Sequence, residues 1–243
     1  MPFTISYFHG DNMKYKNIVK GEFVSRPNRF IAKVKIDGKE ETVHVKNTGR
    51  CKELLVPGCT VYLEKSDNPE RKTAYDLIAA VKSTENGDIL INMDSQIPNY
   101  CAEEFLCRPG VFPDGVKIRR EVKYGNSRFD LYAEYEDKKA FIEVKGVTLE
   151  NDGLALFPDA PTERGVKHIN ELIAAKKEGF DTYIMFVIQM SQVHTFSPNR
   201  KMHPDFADAL KSAEGAGVKI LAFRCNITPD KIEINDEVTV KLT

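Results

Sequence analysis

The sequence predicts an N-terminal all-β barrel over residues 1–90 followed by an α/β domain over residues 91–243. Three observations carry that expectation. The first ninety or so residues break into five short strand-like runs divided by turn residues, the remainder mixes strand-like and helical runs, and 243 residues suit two domains of ordinary size. A composition of 42% hydrophobic and 29% charged residues excludes a collagenous, low-complexity or wholly disordered chain.

In the first part the strand-like runs cover residues 17–24, 30–36, 41–45, 60–64 and 74–82. Apolar positions alternate in Val34-Lys35-Ile36 and in Thr42-Val43-His44-Val45, and Asp37-Gly38 between them tolerates positive φ, so these two runs pair as a hairpin. Residues 50–55 read as a short helical turn ended by Pro57-Gly58. Five strands with a short helix between the third and fourth match the oligonucleotide-binding (OB) barrel. Asn86-Gly87-Asp88 and Pro98-Asn99 then punctuate the passage to the second part.

There a short helix near residues 102–107 and a turn over 109–115 precede three runs, 116–124, 128–135 and 140–147. Gly125-Asn126 and Asp137-Lys138-Lys139 join these as tight hairpins, giving an antiparallel meander. From Thr162, a fair N-cap, to Gly179, a good C-cap residue, Val166, Ile169, Leu172 and Ile173 make an apolar stripe at helical spacing. Arg164, Lys167, His168 and Glu171 occupy the other face. An apolar strand at 183–188, a helix near 205–214 and a strand at 218–224 complete a mixed sheet with packed helices.

The candidate chemistry lies on the third meander strand, in Glu143-Val144-Lys145, because side chains at i and i+2 leave a strand on the same face. Asp130, thirteen residues earlier on the preceding strand, is placed by a hairpin to share a divalent metal with Glu143. Hard oxygen ligands of this kind suit Mg²⁺ or Mn²⁺. Such an ion polarises a phosphate and lowers the pKa of bound water, while Lys145 offsets developing charge. Glu-x-Lys also occurs at Glu70, Glu121 and Glu136, and context selects Glu143: it alone has an aspartate one hairpin upstream and a strand of its own. The motif alone is compatible with a solvated strand face bearing cross-strand pairs. Glu121 is a candidate further ligand or base, and Asp159, in the long loop over 148–161, a weaker ligand candidate.

Net charge is −1, so any anion-binding face must come from distribution rather than balance. Residues 14–35 carry seven Lys or Arg against Glu22 alone, and Lys117, Arg119, Arg120, Lys123 and Arg128 form a second cluster. Arg26, Arg29, Arg128, Arg164, Lys167 and His168 are the expected phosphate contacts; the competing reading is ordinary surface charge, with Lys167 and Glu171 paired at i,i+4. Phe23, Phe30 and Tyr62 are available for base stacking or for the core. The five histidines and five cysteines have no zinc-ligand spacing, and there is no phosphate-binding glycine loop or serine-hydrolase elbow. The N-terminus lacks a secretory pattern, the longest apolar run is a strand's length, and an odd cysteine count argues against a disulfide framework. The expected compartment is the cytoplasm, with no membrane span.

The segments His44-Val45-Lys46-Asn47-Thr48-Gly49-Arg50, Ser127-Arg128-Phe129-Asp130, Glu143-Val144-Lys145-Gly146-Val147-Thr148-Leu149 and Phe157-Pro158-Asp159-Ala160-Pro161-Thr162-Glu163-Arg164-Gly165-Val166-Lys167-His168 resemble the sugar fermentation stimulation protein A family. The resemblance runs over nearly the whole chain, with a departure at His203-Pro204, where the family pattern leads one to expect an aspartate before the proline. It implies an OB-like barrel joined to a domain of the PD-(D/E)XK nuclease kind, with Asp130, Glu143 and Lys145 as its Asp, Glu and Lys and Glu121 as an additional acid. The implied partner is DNA, single- or double-stranded, with RNA open. Two readings follow: a metal-dependent nuclease, or a non-catalytic DNA-binding or regulatory protein on a nuclease scaffold.

Overall fold

The computed structural model describes residues 14–47 and 49–242. Thr48 in the first of the quoted motifs, and residues 1–13, on which the expectation of no secretory leader rests, lie outside them.

Six strands build the first sheet: β1 (Ile18–Asn28), β2 (Ile31–Ile36), β3 (Lys39–Val45), β4 (Thr60–Lys65), β5 (Tyr75–Thr84) and β6 (Gly87–Asn92). Their order is β3-β2-β1-β4-β5-β6, and a parallel pairing of β3 with β5 at His44↔Asp76 and Val45↔Leu77 closes the first five into a barrel. Asp37 and Gly38, at φ +49° and +78°, turn the β2–β3 hairpin, a conformation whose twist matches that of the strands. Between β3 and β4 the expected helix is a single turn, with Leu55 N–H bonded to Cys51 C=O and Cys51, Leu54 and Leu55 plugging the barrel end. Strand β6 was not expected; it adds to β5 through a tight turn at Glu85-Asn86, between the paired Thr84 and Gly87.

Helix α1 (Ile97–Leu106) leads into β7 (Lys117–Tyr124), β8 (Ser127–Tyr135) and β9 (Lys138–Val147), the antiparallel meander. The hairpin of β10 (Leu149–Asn151) and β11 (Leu154–Phe157) follows, then α2 (Glu163–Lys177), β12 (Asp181–Ile188), β13 (Thr195–Pro198) and α3 (Pro204–Gly215). Strands β14 (Lys219–Thr228), β15 (Lys231–Glu237) and β16 (Thr239–Val240) end the chain. The main sheet has the order β15-β14-β12-β9-β8-β7, with β12 parallel to both neighbours, while β10, β11, β13 and β16 form a small second sheet. The segment read as a long loop thus contains a hairpin, whose turn is Asp152-Gly153, and sequence alternation over only three or four residues is too short to announce it.

Period-two alternation on β12 separates two cores. Ile184, Phe186 and Ile188 join the core containing Ile169 and Leu172 of α2 and Phe206 and Leu210 of α3, whereas Met185 and Val187 join the one containing Ile97, Cys101 and Leu106 of α1. The sheet is therefore covered on both faces, and the core on the α2/α3 side is continuous with the barrel interior. Thr162 caps α2 by accepting from Gly165 N–H. His203, at the position where the sequence departs from the family pattern, precedes α3 and accepts from the Thr162 N–H through Nδ1 at 3.3 Å, tying the two helix starts together. Among the described residues no helix is long and apolar enough to cross a membrane.

Candidate active site

Strand β9 lies between β8 and β12, and its alternation sends Phe141 and Val147 into the α2 side and Ile142 and Val144 into the α1 side. Glu143 and Lys145 therefore belong to the α2 face, where Glu143 meets His168. Regular pairing of β8 with β9 ends at Leu131↔Ile142. Just beyond, the Asp130 carboxylate replaces a strand carbonyl as the partner of the Val144 N–H, at 2.8 Å, and Asn99 Nδ2 from α1 donates to its other oxygen at 3.0 Å. Phe129 and Leu131, on either side of Asp130, enter opposite cores, so the strand's alternation breaks at the acid.

Glu143 is 1% exposed. Its Oε1 takes the His168 Nδ1 and Lys145 Nζ hydrogen bonds, while Oε2 is buried without any protein partner. Burial works to raise Glu143, but the bonds from His168 and Lys145 and the lysine's charge outweigh it, and the carboxyl is held below its ordinary range. For Asp130 the balance is opposite: burial, then the charge of Glu143, push it up against the opposing pull of Lys145, the Val144 N–H and Asn99. A buried and a half-buried carboxyl group that feel each other, the buried one with an orphaned oxygen, are a donor set that suits a hard divalent cation. Among the described residues no group of three His, Cys, Asp or Glu side chains is placed to hold a metal, so Asp130 and Glu143 would leave most of the ion's coordination to water or substrate, as Mg²⁺ prefers.

A family model described as "Sugar fermentation stimulation protein RE domain" matches residues 96–231, and one described as "SfsA N-terminal OB domain" matches residues 24–92. The chain belongs to the sugar fermentation stimulation protein family. A sugar fermentation stimulation protein homolog of Clostridium beijerinckii is 56% identical over 95% of this chain and 100% of its own length. One from Desulfitobacterium hafniense is 58% identical over 95% of this chain and 99% of its own. A solved structure of Pyrococcus furiosus SfsA, described as in complex with Ca²⁺, superposes with a TM-score of 0.81 at 28% identity, covering 96% of this chain and 100% of that one. The OB barrel and the α/β domain expected from the sequence are thus the fold of this family.

In this family member Asp130, Glu143 and Lys145 come together, but other expected contacts are placed differently. Glu121, at φ +53° on β7, is exposed and pairs with Arg128 at 3.4 Å rather than joining the acids. Arg26 is committed to structure: Nη1 donates to the Gly49 and Arg50 carbonyls and Nη2 to those of Arg29 and Asn47, so none of those donors is left for phosphate. His168 is 5% exposed and holds Glu143, which corrects its expected role as a phosphate contact. Arg164 and Lys167 remain exposed on α2, Lys167 reaching the Asn126 carbonyl at 3.2 Å and Glu171 at 3.9 Å. In the second basic cluster Arg119 pairs with Glu134 and Arg120 with Glu103, so ion pairing disperses the charge that sequence counting had grouped. Phe23 is core; Phe30 is 51% exposed, with the Arg29 guanidinium 5.6 Å from its ring centre. Asn99 was missed, since a polar residue on a separate helix carries no spacing signal toward Asp130.

Proposed function

We propose that this protein binds DNA and hydrolyses its phosphodiester bonds with Mg²⁺ or Mn²⁺ at Asp130, Glu143 and Lys145. The observation that carries the reading is the unpartnered, buried Glu143 Oε2 beside Asp130. Asp130 and Glu143 would hold the ion, which when bound supplies charge to polarise the phosphate and acidify water. Asn99 and the Val144 N–H fix Asp130; His168 fixes Glu143. Lys145 Nζ, anchored on Glu143, turns to a phosphate oxygen when substrate enters and offsets the charge that builds there. Exposed Arg164, Lys167 and Arg29, with Phe30 as a stacking surface, supply sequence-independent contacts along the strand. The description of the Pyrococcus furiosus relative with Ca²⁺, another oxygen-seeking cation, supports a divalent site. Free thiols at all five cysteines fit the reducing cytoplasm expected as its compartment.

The test is a gel assay of purified protein on labelled single-stranded DNA, duplex DNA and RNA, with Mg²⁺, Mn²⁺ or EDTA and with Asp130→Ala alongside. Metal-dependent cleavage that the variant loses is the expected result. Shifted but uncut DNA under every condition would replace the nuclease with a DNA-binding protein on a nuclease scaffold.

A further inference from the structure

A cleft of about 260 Å³ opens where the barrel meets the α/β domain, lined in part by Gly146 of β9. Asn47 and Gly49 of the β3–β4 loop form one wall, and Leu156, Phe157 and Asp159 of the segment before α2 form another. Two glycines let the polar groups of its walls approach the backbone closely. A Cβ on Gly49 would lie 2.9 Å from Asn47 Oδ1 and 3.0 Å from Asp159 Oδ2, and a Cβ on Gly146 would lie 2.6 Å from Gln189 Oε1. Asn47 and Asp159 therefore approach each other at Gly49, and the proposed hydrolysis uses neither.

The chemistry of the lining narrows the occupant. Among the described residues no lysine or arginine lines the cleft, and the Asp159 carboxylate repels anions, so a phosphate group is disfavoured there. Among the described residues the Asp159 side chain has no hydrogen-bond or ion-pair partner, and a carboxylate's two oxygens are acceptors. Asn47 Oδ1 is taken by the Gly49 N–H at 2.7 Å, so its amide group is the neighbouring donor. Leu149, Leu156 and Phe157 add apolar surface for a flat ring. A volume of this size holds a single nucleobase, and an acceptor pair beside a donor is the complement of guanine. Guanine alone among the bases presents two adjacent N–H donors next to a carbonyl on its Watson–Crick edge.

We infer that this cleft receives one unstacked base of the bound strand, guanine before the others, through Asp159 and Asn47. The inference rests on the nucleic-acid reading above and deepens it: the bound strand turns one base out of the stack into the cleft, so single-stranded or readily opened DNA is the preferred substrate class.

The experiment measures binding of the whole protein, by fluorescence anisotropy in EDTA, to thymine oligonucleotides whose central position is guanine, adenine, cytosine, thymine or abasic. The guanine oligonucleotide should bind about tenfold tighter than the abasic one, the yield of one good bidentate contact. Asp159→Asn should bring the two together, as should Gly49→Ala, whose methyl displaces Asn47 and Asp159; thermal melting checks that both variants fold. Equal, salt-sensitive binding of all five oligonucleotides would overturn the base cleft while leaving the nucleic-acid reading in place. No binding of any of them would overturn both. Binding of free dGMP that Asp159→Asn abolishes, without a guanine preference in the strand, would make the cleft a mononucleotide site and overturn the proposal.

Discussion

His168 on α2 and Glu143 on β9 are joined through Nδ1 and Oε1, both side chains almost wholly buried. Arg164 Nε lies 3.4 Å from the other ring nitrogen, an arrangement that leaves the ring proton on Nδ1 for the glutamate. One carboxylate oxygen is thereby occupied and the other left without a partner beside Asp130. The ring decides which way the acid faces, a task of the kind performed by groups behind metal ligands generally.

Replacing His168 by alanine should weaken Mn²⁺ binding about 10–100-fold, read by titration calorimetry. The amide nitrogen of His168→Asn falls close to the position of Nδ1 and should restore most of the loss; His168→Gln, whose amide reaches the Nε2 position, should not. Equal affinity in all three variants would show that Glu143 keeps its orientation without the ring.

Charge on α2 and charge in the barrel should separate in salt titrations of DNA affinity. Arg164→Ala and Lys167→Ala should each lower the slope of log affinity against log salt by about one, as expected for a lost phosphate contact. Arg26→Ala should leave the slope unchanged and instead lower the melting temperature, because three of its four carbonyl contacts hold the β3–β4 loop and the fourth the β1–β2 turn.

Lys82 on β5 staples the barrel to the α/β domain, its Nζ 2.6 Å from Glu150 Oε2 and 2.7 Å from the Glu150 carbonyl. Glu150 is 4% exposed and also accepts from the Gly153 N–H, holding the β10–β11 hairpin. Lys82→Met strands a buried carboxylate and should cost about 3–5 kcal/mol in urea unfolding. The double variant Lys82→Met/Glu150→Leu should recover much of that loss.

Where β3 meets β5 and closes the barrel, Asp76 takes two bonds from Arg71, at 2.7 and 2.8 Å, and one from His44 at 2.8 Å. Burial raises its carboxyl, but Arg71 and His44 together hold it below the ordinary aspartate range. A lowered folded-state pKa gives stability that is complete above the unfolded value of about 3.9 and disappears as pH falls through the folded value. Urea midpoints of wild type and Asp76→Asn should therefore differ by the equivalent of about 2 kcal/mol at neutral pH and converge below about pH 4. A gap that widens in acid would reverse this assignment.

The sequence by itself determined the two-part architecture and the strand that carries Glu143 and Lys145, because long alternating runs, hairpin turn residues and a capped amphipathic helix are local signals. Those signals hold for the meander β7–β9 and for α2, whose Thr162 cap is as expected. Short strands such as β10 and β16 have too few residues to show a period, and they exist through pairing with distant segments. Only the tertiary structure decided what each polar residue does. His168 shares a helical face with Arg164 in the sequence, yet packing buries one against Glu143 and leaves the other in solvent. Arg26 reads as a free cation until the loop folds around it, and Asn47 meets Asp159 across Gly49 only when the barrel docks on the α/β domain. Burial and hydrogen-bond partners arise from contacts between residues far apart in the chain, and spacing along one segment holds no record of them.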